Sequence, residues 1–233
     1  MSQLTGDERA RYVHNVFGRV ARRYNLMNRL MTGGQDIRWR RETVRRLRLS
    51  PGEALLDLGA GTGDLGREAL RQQPGILLVA ADFSLEMLRA GQASDALPWL
   101  NADALQLPFA DESFEAVVSG FMMRNVGSLE AALAEQYRVL KPGGRMLILE
   151  TTRPPGSGIL SPLVRFHMRV VIPWIGTLVS GNREAYRYLP ASSEAFLSAE
   201  ELAEKMAAAG FREVGFQRRM AGTIAIHWGM KNF

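Results

Sequence analysis

The chain has 233 residues, of which 46% are hydrophobic and 23% charged, and it contains no cysteine. This length suits one large globular domain over residues 1–233, and the composition excludes disulfides, thiolate metal sites and cysteine nucleophiles. The formal net charge of +5 comes mostly from arginine. It fits solvated helix faces, an RNA-binding surface or attraction to anionic phospholipid, and charge alone does not choose between them.

Residues 1–50 predict a helical N-terminal segment that is rich in arginine. Apolar residues recur at helical spacing over residues 13–21 and 26–31, and Gly33 and Gly34 then break the pattern. A further helix is predicted over residues 37–47.

Strands and helices alternate over the next hundred residues, which is the pattern of a doubly wound parallel sheet. The apolar runs predict strands over 54–58, 76–81, 99–100, 114–119 and 145–150, and helical spacing predicts helices over 64–72, 85–92 and 129–140. Residues 141–144, Lys-Pro-Gly-Gly, predict a turn into the fifth strand.

The C-terminal part predicts one helix and an antiparallel hairpin. Ser198 and Glu201 have the spacing of a capping box, so a helix is expected from there to Gly210. Strands over 211–218 and 223–228 complete an α/β fold of the Rossmann-like class I type with seven strands. Residues 151–195 interrupt the alternation and predict an insertion, which in a stretch of this length is usually functional.

A glycine-rich turn follows the first predicted strand. Gly59, Gly61 and Gly63 let the backbone pass close to a ligand, and the free N–H groups at the next helix favour a carboxylate or phosphate. Alone, such a turn fits a dinucleotide, S-adenosylmethionine or no ligand. Dinucleotide sites place the third glycine one residue later, so this spacing favours S-adenosylmethionine.

Acidic residues at the strand ends extend this predicted cofactor site. Asp82 follows the second strand, 19 residues after Gly63, where it can accept both ribose hydroxyls of an adenosine. Asp103 and Ala104 follow the third strand and are expected beside the adenine, although a surface turn explains them as well. Asp57 lies at the carboxyl end of the first strand and is expected near the methionine amino group or a positioning water.

Several stretches carry a resemblance to a known family. They are residues 16–28 continuing to Trp39 and Arg40, the glycine turn, residues 121–126 (Phe-Met-Met-Arg-Asn-Val), residues 186–189 (Tyr-Arg-Tyr-Leu) and residues 226–231 (Ile-His-Trp-Gly-Met-Lys). With these, the chain resembles the ubiquinone/menaquinone biosynthesis C-methyltransferase family, of the demethylmenaquinone methyltransferase type, over nearly its whole length. The resemblance implies S-adenosylmethionine as cofactor, with contacts from Thr62, Asp82, Asp103 and Ala104.

The chain also departs from the family pattern. Asn25 stands where an Asp is usual, and Met122 and Met123 replace Gly-Leu. Residues 193–194 (Ser-Glu) and 196–197 (Phe-Leu) differ from a Ser-Ile and Phe-Pro pattern. These departures concern the substrate pocket rather than the cofactor site.

The resemblance implies methyl transfer to a ring carbon of a prenylated quinol, with demethylmenaquinol favoured and a benzoquinol as the alternative. Such a carbon becomes nucleophilic when the ring hydroxyl loses its proton, which calls for a cation near the oxygen. Arg124 is the candidate for that cation, and Asn125 for orienting water or the ring. The structural alternative is that both residues hold the loop after the fourth strand. No metal is required.

Two other functions compete with this one. An RNA or DNA methyltransferase is disfavoured because the chain lacks a cysteine nucleophile, an Asn-Pro-Pro-Tyr-type motif and an appended nucleic-acid-binding domain, so we expect no nucleic-acid partner. A non-catalytic S-adenosylmethionine-binding module is disfavoured by the intact glycine turn together with Asp82 and Asp103.

The apolar residues 159–179 fit either a core helix or a cap over the active site that admits a polyprenyl tail. We expect a cytoplasmic protein, because the first residues are polar and no apolar run is long enough to span a membrane. Contact with an anionic membrane and a homo-oligomer are left open.

Overall fold

A computed structural model describes residues 21, 24–93, 97–153 and 192–233. In chain order its helices are α1 (Tyr24–Thr32), α2 (Gln35–Arg45), α3 (Asp64–Gln72), α4 (Leu85–Gln92), α5 (Leu129–Val139) and α6 (Ala199–Ala208), and its strands are β1 (Ala54–Leu58), β2 (Leu77–Asp82), β3 (Trp99–Asn101), β4 (Phe114–Gly120), β5 (Leu140–Thr151), β6 (Arg212–Arg219) and β7 (Ile224–Met230). None of the helices in these ranges is long and apolar enough to cross a membrane.

The strands form one seven-stranded sheet in the order β3-β2-β1-β4-β5-β7-β6. Strands β1 to β5 pair in parallel with one another, whereas β7 runs antiparallel to both β5 and β6. The predicted α/β fold with a last antiparallel hairpin is therefore confirmed.

Each face of the sheet carries its own apolar core, because successive side chains of a strand point to opposite faces. Leu55 of β1 packs in a buried cluster with Val44 of α2 and Leu65 of α3. Leu56 and its neighbours on the opposite face pack in a second cluster that includes residues of α5 and α6. The sheet is covered on both faces, as the near-continuous apolar runs of its parallel strands predict.

Most predicted elements agree with the structure to within two residues, and β1, α3 and α4 agree at both ends. The helix expected over 37–47 begins earlier, at Gln35, directly after Gly34 in the left-handed conformation. The helix expected over 13–21 and the apolar segment 159–179 lie almost entirely outside the described residues.

The turn predicted at residues 141–144 is the clearest correction. These residues belong to β5, which begins at Leu140, because Leu140 already pairs with Phe114 and the next pair joins Arg145 to Ala116. The extra residues form a bulge that bonds instead to the end of β7, where the Gly143 N–H donates to the Lys231 carbonyl at 3.1 Å. A proline and two glycines here indicate an irregular part of the strand and not a turn that precedes it.

Candidate cofactor and active site

The predicted site residues meet at one edge of the sheet, where the order of strands reverses. β1 lies between β2 and β4, so the chain winds outward in both directions from the β1/β4 pair. Ligands of open α/β sheets bind at the carboxyl ends of the strands next to such a reversal. The glycine turn after β1, Asp82 at the end of β2 and the loop after β4 all lie there.

The glycine turn needs glycine both for its backbone and for the space beside it. Gly59, Gly61 and Gly63 have φ angles of 67°, 59° and 84°, which side chains rarely adopt. A Cβ at Gly59 would also lie 2.6 Å from Cγ of Met122, so the turn and the loop after β4 are in direct contact. The glycine turn and the loop that carries Met122 therefore pack against each other.

Asp82 fastens the glycine turn to β2. Its Oδ2 accepts from the N–H of Gly61 at 2.7 Å, and its Oδ1 accepts from the N–H of Ser84 at 2.8 Å. Each carboxylate oxygen has more than one acceptor site, so these bonds are compatible with ribose hydroxyls as further donors. Asp82 is half-buried at the strand end, as the sequence predicts.

Asp103 and Ala104 lie beyond the end of β3, next to Asp82. Asn101, the last residue of β3, is in register with Asp82. The Asp103 carboxylate is exposed and accepts from the N–H of Leu105 at 2.9 Å, whereas Ala104 is buried. Asp103 thus holds a turn of its own, and the structure brings it to the same edge as Asp82.

Asp57 is a completely buried carboxylate at this edge. Its Oδ2 accepts from the N–H of Gly66 at 2.8 Å, and no donor among the described residues reaches its Oδ1. Burial raises the pKa of Asp57 to about 7. A buried acceptor beside a glycine turn fits S-adenosylmethionine, which carries an ammonium group and a sulfonium.

Thr62 lies inside the glycine turn and is buried. Its hydroxyl donates to Oδ1 of Asn25 in α1 at 2.8 Å. The sequence assigns the departure at Asn25 to the substrate pocket, whereas the structure places this residue against the glycine turn. No local pattern indicates that α1 contacts the turn.

The loop after β4 gathers Arg124 and Asn125 around one carbonyl. Nη1 of Arg124 donates to the Phe121 carbonyl at 3.0 Å, and Nδ2 of Asn125 donates to the same oxygen at 2.9 Å. Phe121 has a φ of 58°, a strained conformation for an aromatic residue. Both candidate catalytic residues therefore brace this loop.

Arg124 also forms a buried ion pair with Glu150 near the end of β5, and both side chains are at most 3% exposed. Glu150 further accepts from the backbone N–H groups of Arg124, at 3.3 Å, and Thr151, at 2.8 Å. Sequence reasoning placed Glu150 only at the end of a strand. The sequence feature that could have identified Glu150 is its position as an acidic residue at the end of an apolar run in a buried strand.

The chain matches the model of the ubiE/COQ5 methyltransferase family over residues 4–231. It is 44% identical over 222 residues to the ubiquinone/menaquinone biosynthesis C-methyltransferase UbiE of Desulfotalea psychrophila, covering 94% of this chain and 90% of that one. It is also 44% identical to the demethylmenaquinone methyltransferase of Thermus thermophilus, covering 92% of this chain and 99% of that one.

A solved structure shares the fold. A SAM-dependent methyltransferase from Thermotoga maritima superposes with a TM-score of 0.65 at 22% identity, covering 94% of this chain and 99% of that one. This identity supports the fold alone, whereas the family model and the two relatives extend over most of the chain. The chain therefore belongs to the ubiE/COQ5 methyltransferase family.

Proposed function

We propose that this S-adenosylmethionine-dependent C-methyltransferase acts on a ring carbon of a prenylated quinol, with demethylmenaquinol as the favoured substrate. The name of the relative from Thermus thermophilus, a demethylmenaquinone methyltransferase, supports the naphthoquinol. The observation that carries the proposal is the buried ion pair between Arg124, in the loop after β4, and Glu150, near the end of β5. The same loop contacts the glycine turn through Met122.

The cofactor is proposed to lie along the edge formed by β1, β2 and β3. Residues of the glycine turn, the strand ends and the loop after β3 would hold it: Asp57, Gly59, Gly61, Thr62, Asp82, Asp103 and Ala104. S-adenosylmethionine supplies an electrophilic sulfonium methyl group. The ionised Asp57 carboxylate would face the cationic methionine end, and Asp82 would orient the ribose.

Arg124 is proposed to stabilise the negative charge that develops on the quinol oxygen. A guanidinium acts as a cation and is a poor base, so the ring proton would leave through water. Asn125 would orient that water or the ring. Glu150 fixes the position of the guanidinium, and its negative charge also offsets part of the positive charge that Arg124 presents to the quinol oxygen.

The product test uses the purified protein with isotopically labelled S-adenosylmethionine and two prenylated acceptors, a demethylmenaquinol and a benzoquinol. We expect label to enter the naphthoquinol ring faster, with a mass increase of one methyl group. Faster methylation of the benzoquinol would transfer the assignment to the ubiquinone branch. Cofactor binding without methylation of either acceptor would contradict the proposed activity.

The role of Arg124 is tested by Arg124→Lys beside Glu150→Gln. Both variants weaken the same buried pair, but only the first removes the planar donor fork from the proposed oxyanion site. We expect Arg124→Lys to lower kcat about 100-fold, with cofactor affinity and melting temperature close to those of Glu150→Gln.

Arg124→Ala is less informative, because it leaves Glu150 buried without its cation and should destabilise the fold for that reason alone. Equal losses of kcat in Arg124→Lys and Glu150→Gln, both in proportion to lost melting temperature, would assign Arg124 to bracing of the loop only.

We also propose peripheral contact with an anionic membrane, which would bring the enzyme to a lipid-soluble substrate. Arg38, Arg41 and Arg45 of α2 are exposed, and their spacing of three and four residues places them on one face of the helix. Basic residues near an anionic bilayer each contribute on the order of 1 kcal/mol of attraction. These three arginines form the α2 basic stripe.

A further inference from the structure

A polar network ties the N-terminal helices to the cofactor turn. Asn25 in α1 accepts from the Thr62 hydroxyl at 2.8 Å, and its Nδ2 donates to Oδ1 of Asp64 at 3.0 Å. An asparagine side chain can accept and donate at once, so a single residue links the turn to the first residue of α3.

The network continues from Asp64 into α2. Nη2 of Arg40 lies 3.5 Å from Oδ2 of Asp64, and the same guanidinium pairs with Asp36. Asp36 and Arg40 are both buried. The Thr32 hydroxyl, at the end of α1, lies 3.1 Å from Oδ1 of Asp36 and accepts from the Asp36 N–H at 3.4 Å, so α1 joins the network at both of its ends.

Apolar burial and these polar bonds both hold α1 in position. Met27 and Met31 are buried, but Leu26 and Leu30 are 52% and 45% exposed. A hydrogen bond contributes about 1 kcal/mol of stability, so the bonds of Asn25 add measurably to the docking of α1.

We propose that Asn25 is a positioning residue for S-adenosylmethionine. By holding Thr62 and Asp64, it couples the docking of α1 to the conformation of the glycine turn, so that α1 and the cofactor strengthen each other's binding. Coupling of this kind is reciprocal: whatever factor α1 docking adds to cofactor affinity, the cofactor adds to α1 docking. The inference rests on the proposed cofactor role of the glycine turn.

The first test is a double-mutant cycle on cofactor affinity, measured by calorimetry with S-adenosylmethionine. Asn25→Ala and Thr62→Val should each weaken binding about tenfold, since each removes hydrogen bonds that fix the turn. The loss of affinity in the double variant should be clearly smaller than the product of the two single losses, because both substitutions break the bond between Asn25 and Thr62. Thr62→Ser keeps the hydroxyl and should restore most of the affinity.

Arg29→Ala is the matched control, because Arg29 is an exposed residue of the same helix. Its affinity should equal that of the parent. Additive losses in the cycle, or parental affinity in Asn25→Ala, would overturn the positioning role. A parent protein that does not bind S-adenosylmethionine would instead overturn the proposed cofactor site itself.

Amide hydrogen exchange of α1 provides a readout that is independent of activity. In the parent, adding S-adenosylmethionine should slow exchange over residues 24–32 at least severalfold. In Asn25→Ala, at cofactor concentrations that saturate the variant, the slowing should be much smaller. Equal protection of α1 in both proteins would refute the coupling even if the affinities differ.

Discussion

At the residue scale, Asp57 has the most unusual environment of the proposed cofactor residues. It occupies a position in β1 whose neighbours Leu56 and Leu58 are buried and apolar, and its own side chain is fully buried. Burial penalises the ionised form and raises the pKa of Asp57 from an ordinary 3.8 to about 7. A carboxylate kept at such a cost suits a site that receives a cation.

This environment predicts a pH-dependent effect of Asp57→Asn on stability. The folded chain holds the Asp57 proton more tightly than the unfolded chain does, so the contribution of this group to stability is complete below about pH 4 and is lost as the pH rises to about 7. Asparagine does not titrate. The melting temperature of Asp57→Asn relative to the parent should therefore rise between pH 5 and pH 8.

Thermal melts of the ligand-free proteins at both pH values measure this difference. Glu213→Gln, a substitution of an exposed carboxylate in β6, serves as the control and should show no comparable trend. A constant difference between Asp57→Asn and the parent across the range would mean that Asp57 is not a buried, titrating acid.

The sequence predicts the proposed cofactor residues better than their supports. Asp57, Asp82 and the glycines follow predicted strands, and parallel strands bring their carboxyl ends to one edge. Asn25 and Glu150 were missed as parts of the site because their partners, Thr62 and Arg124, lie far away in the chain. No periodicity or motif encodes which distant side chains meet.

At the element scale, helix boundaries follow local chemistry closely. The helices α3 and α4 begin directly after Gly63 and Ser84, and the Ser84 hydroxyl accepts from the N–H of Met87. Turn and cap residues act within a few positions, so a single sequence contains the information. The start of β5 is harder to predict from the sequence, because the first residues of this strand depend on pairing with β4 and β7.

The capping box of α6 gives a test of an element boundary. Ser198 accepts from the N–H of Glu201 at 3.2 Å, and Glu201 accepts from the N–H of Ser198 at 2.7 Å. Ser198→Ala should cost about 1 kcal/mol of stability and lower the melting temperature by roughly 2–4 °C. Ser198→Gly should cost less, since glycine is also accepted at this position.

Differential scanning calorimetry measures these shifts. Ser113→Ala is the control, because the Ser113 hydroxyl donates to a loop carbonyl at 2.7 Å and caps no helix. A melting temperature of Ser198→Ala that equals the parent's would show that α6 is held by the packing of residues such as Leu202 and Met206 and not by its cap.

At the scale of the whole molecule, the strand order sets where the chemistry can occur. The proposed cofactor residues lie in or soon after β1, β2 and β3, on one side of the reversal. On the other side, Arg124 follows β4 and Glu150 lies near the end of β5. The methyl donor and the acceptor would thus meet above the β1/β4 pair. The alternation of elements predicts this arrangement, although the order of the strands emerges only from their pairing.

The distribution of charge over the molecule gives the last prediction, which concerns the α2 basic stripe. The parent should float with vesicles that contain anionic phospholipid at low salt and should be released at high salt, where the attraction is screened over a few ångströms. Changing Arg38, Arg41 and Arg45 to Glu should abolish flotation. These three changes take the formal charge from +5 to −1.

The control carries the same charge change elsewhere, with Glu replacing Arg89 of α4, Lys205 of α6 and Arg212 of β6, all of which are exposed. If the stripe on α2 is the docking surface, the control should retain most of its flotation, because the position of the charge matters rather than the total. Equal loss of flotation in both triple variants would show that flotation depends on the net charge and not on the α2 basic stripe. Failure of the parent to float at low salt would reject the membrane contact altogether.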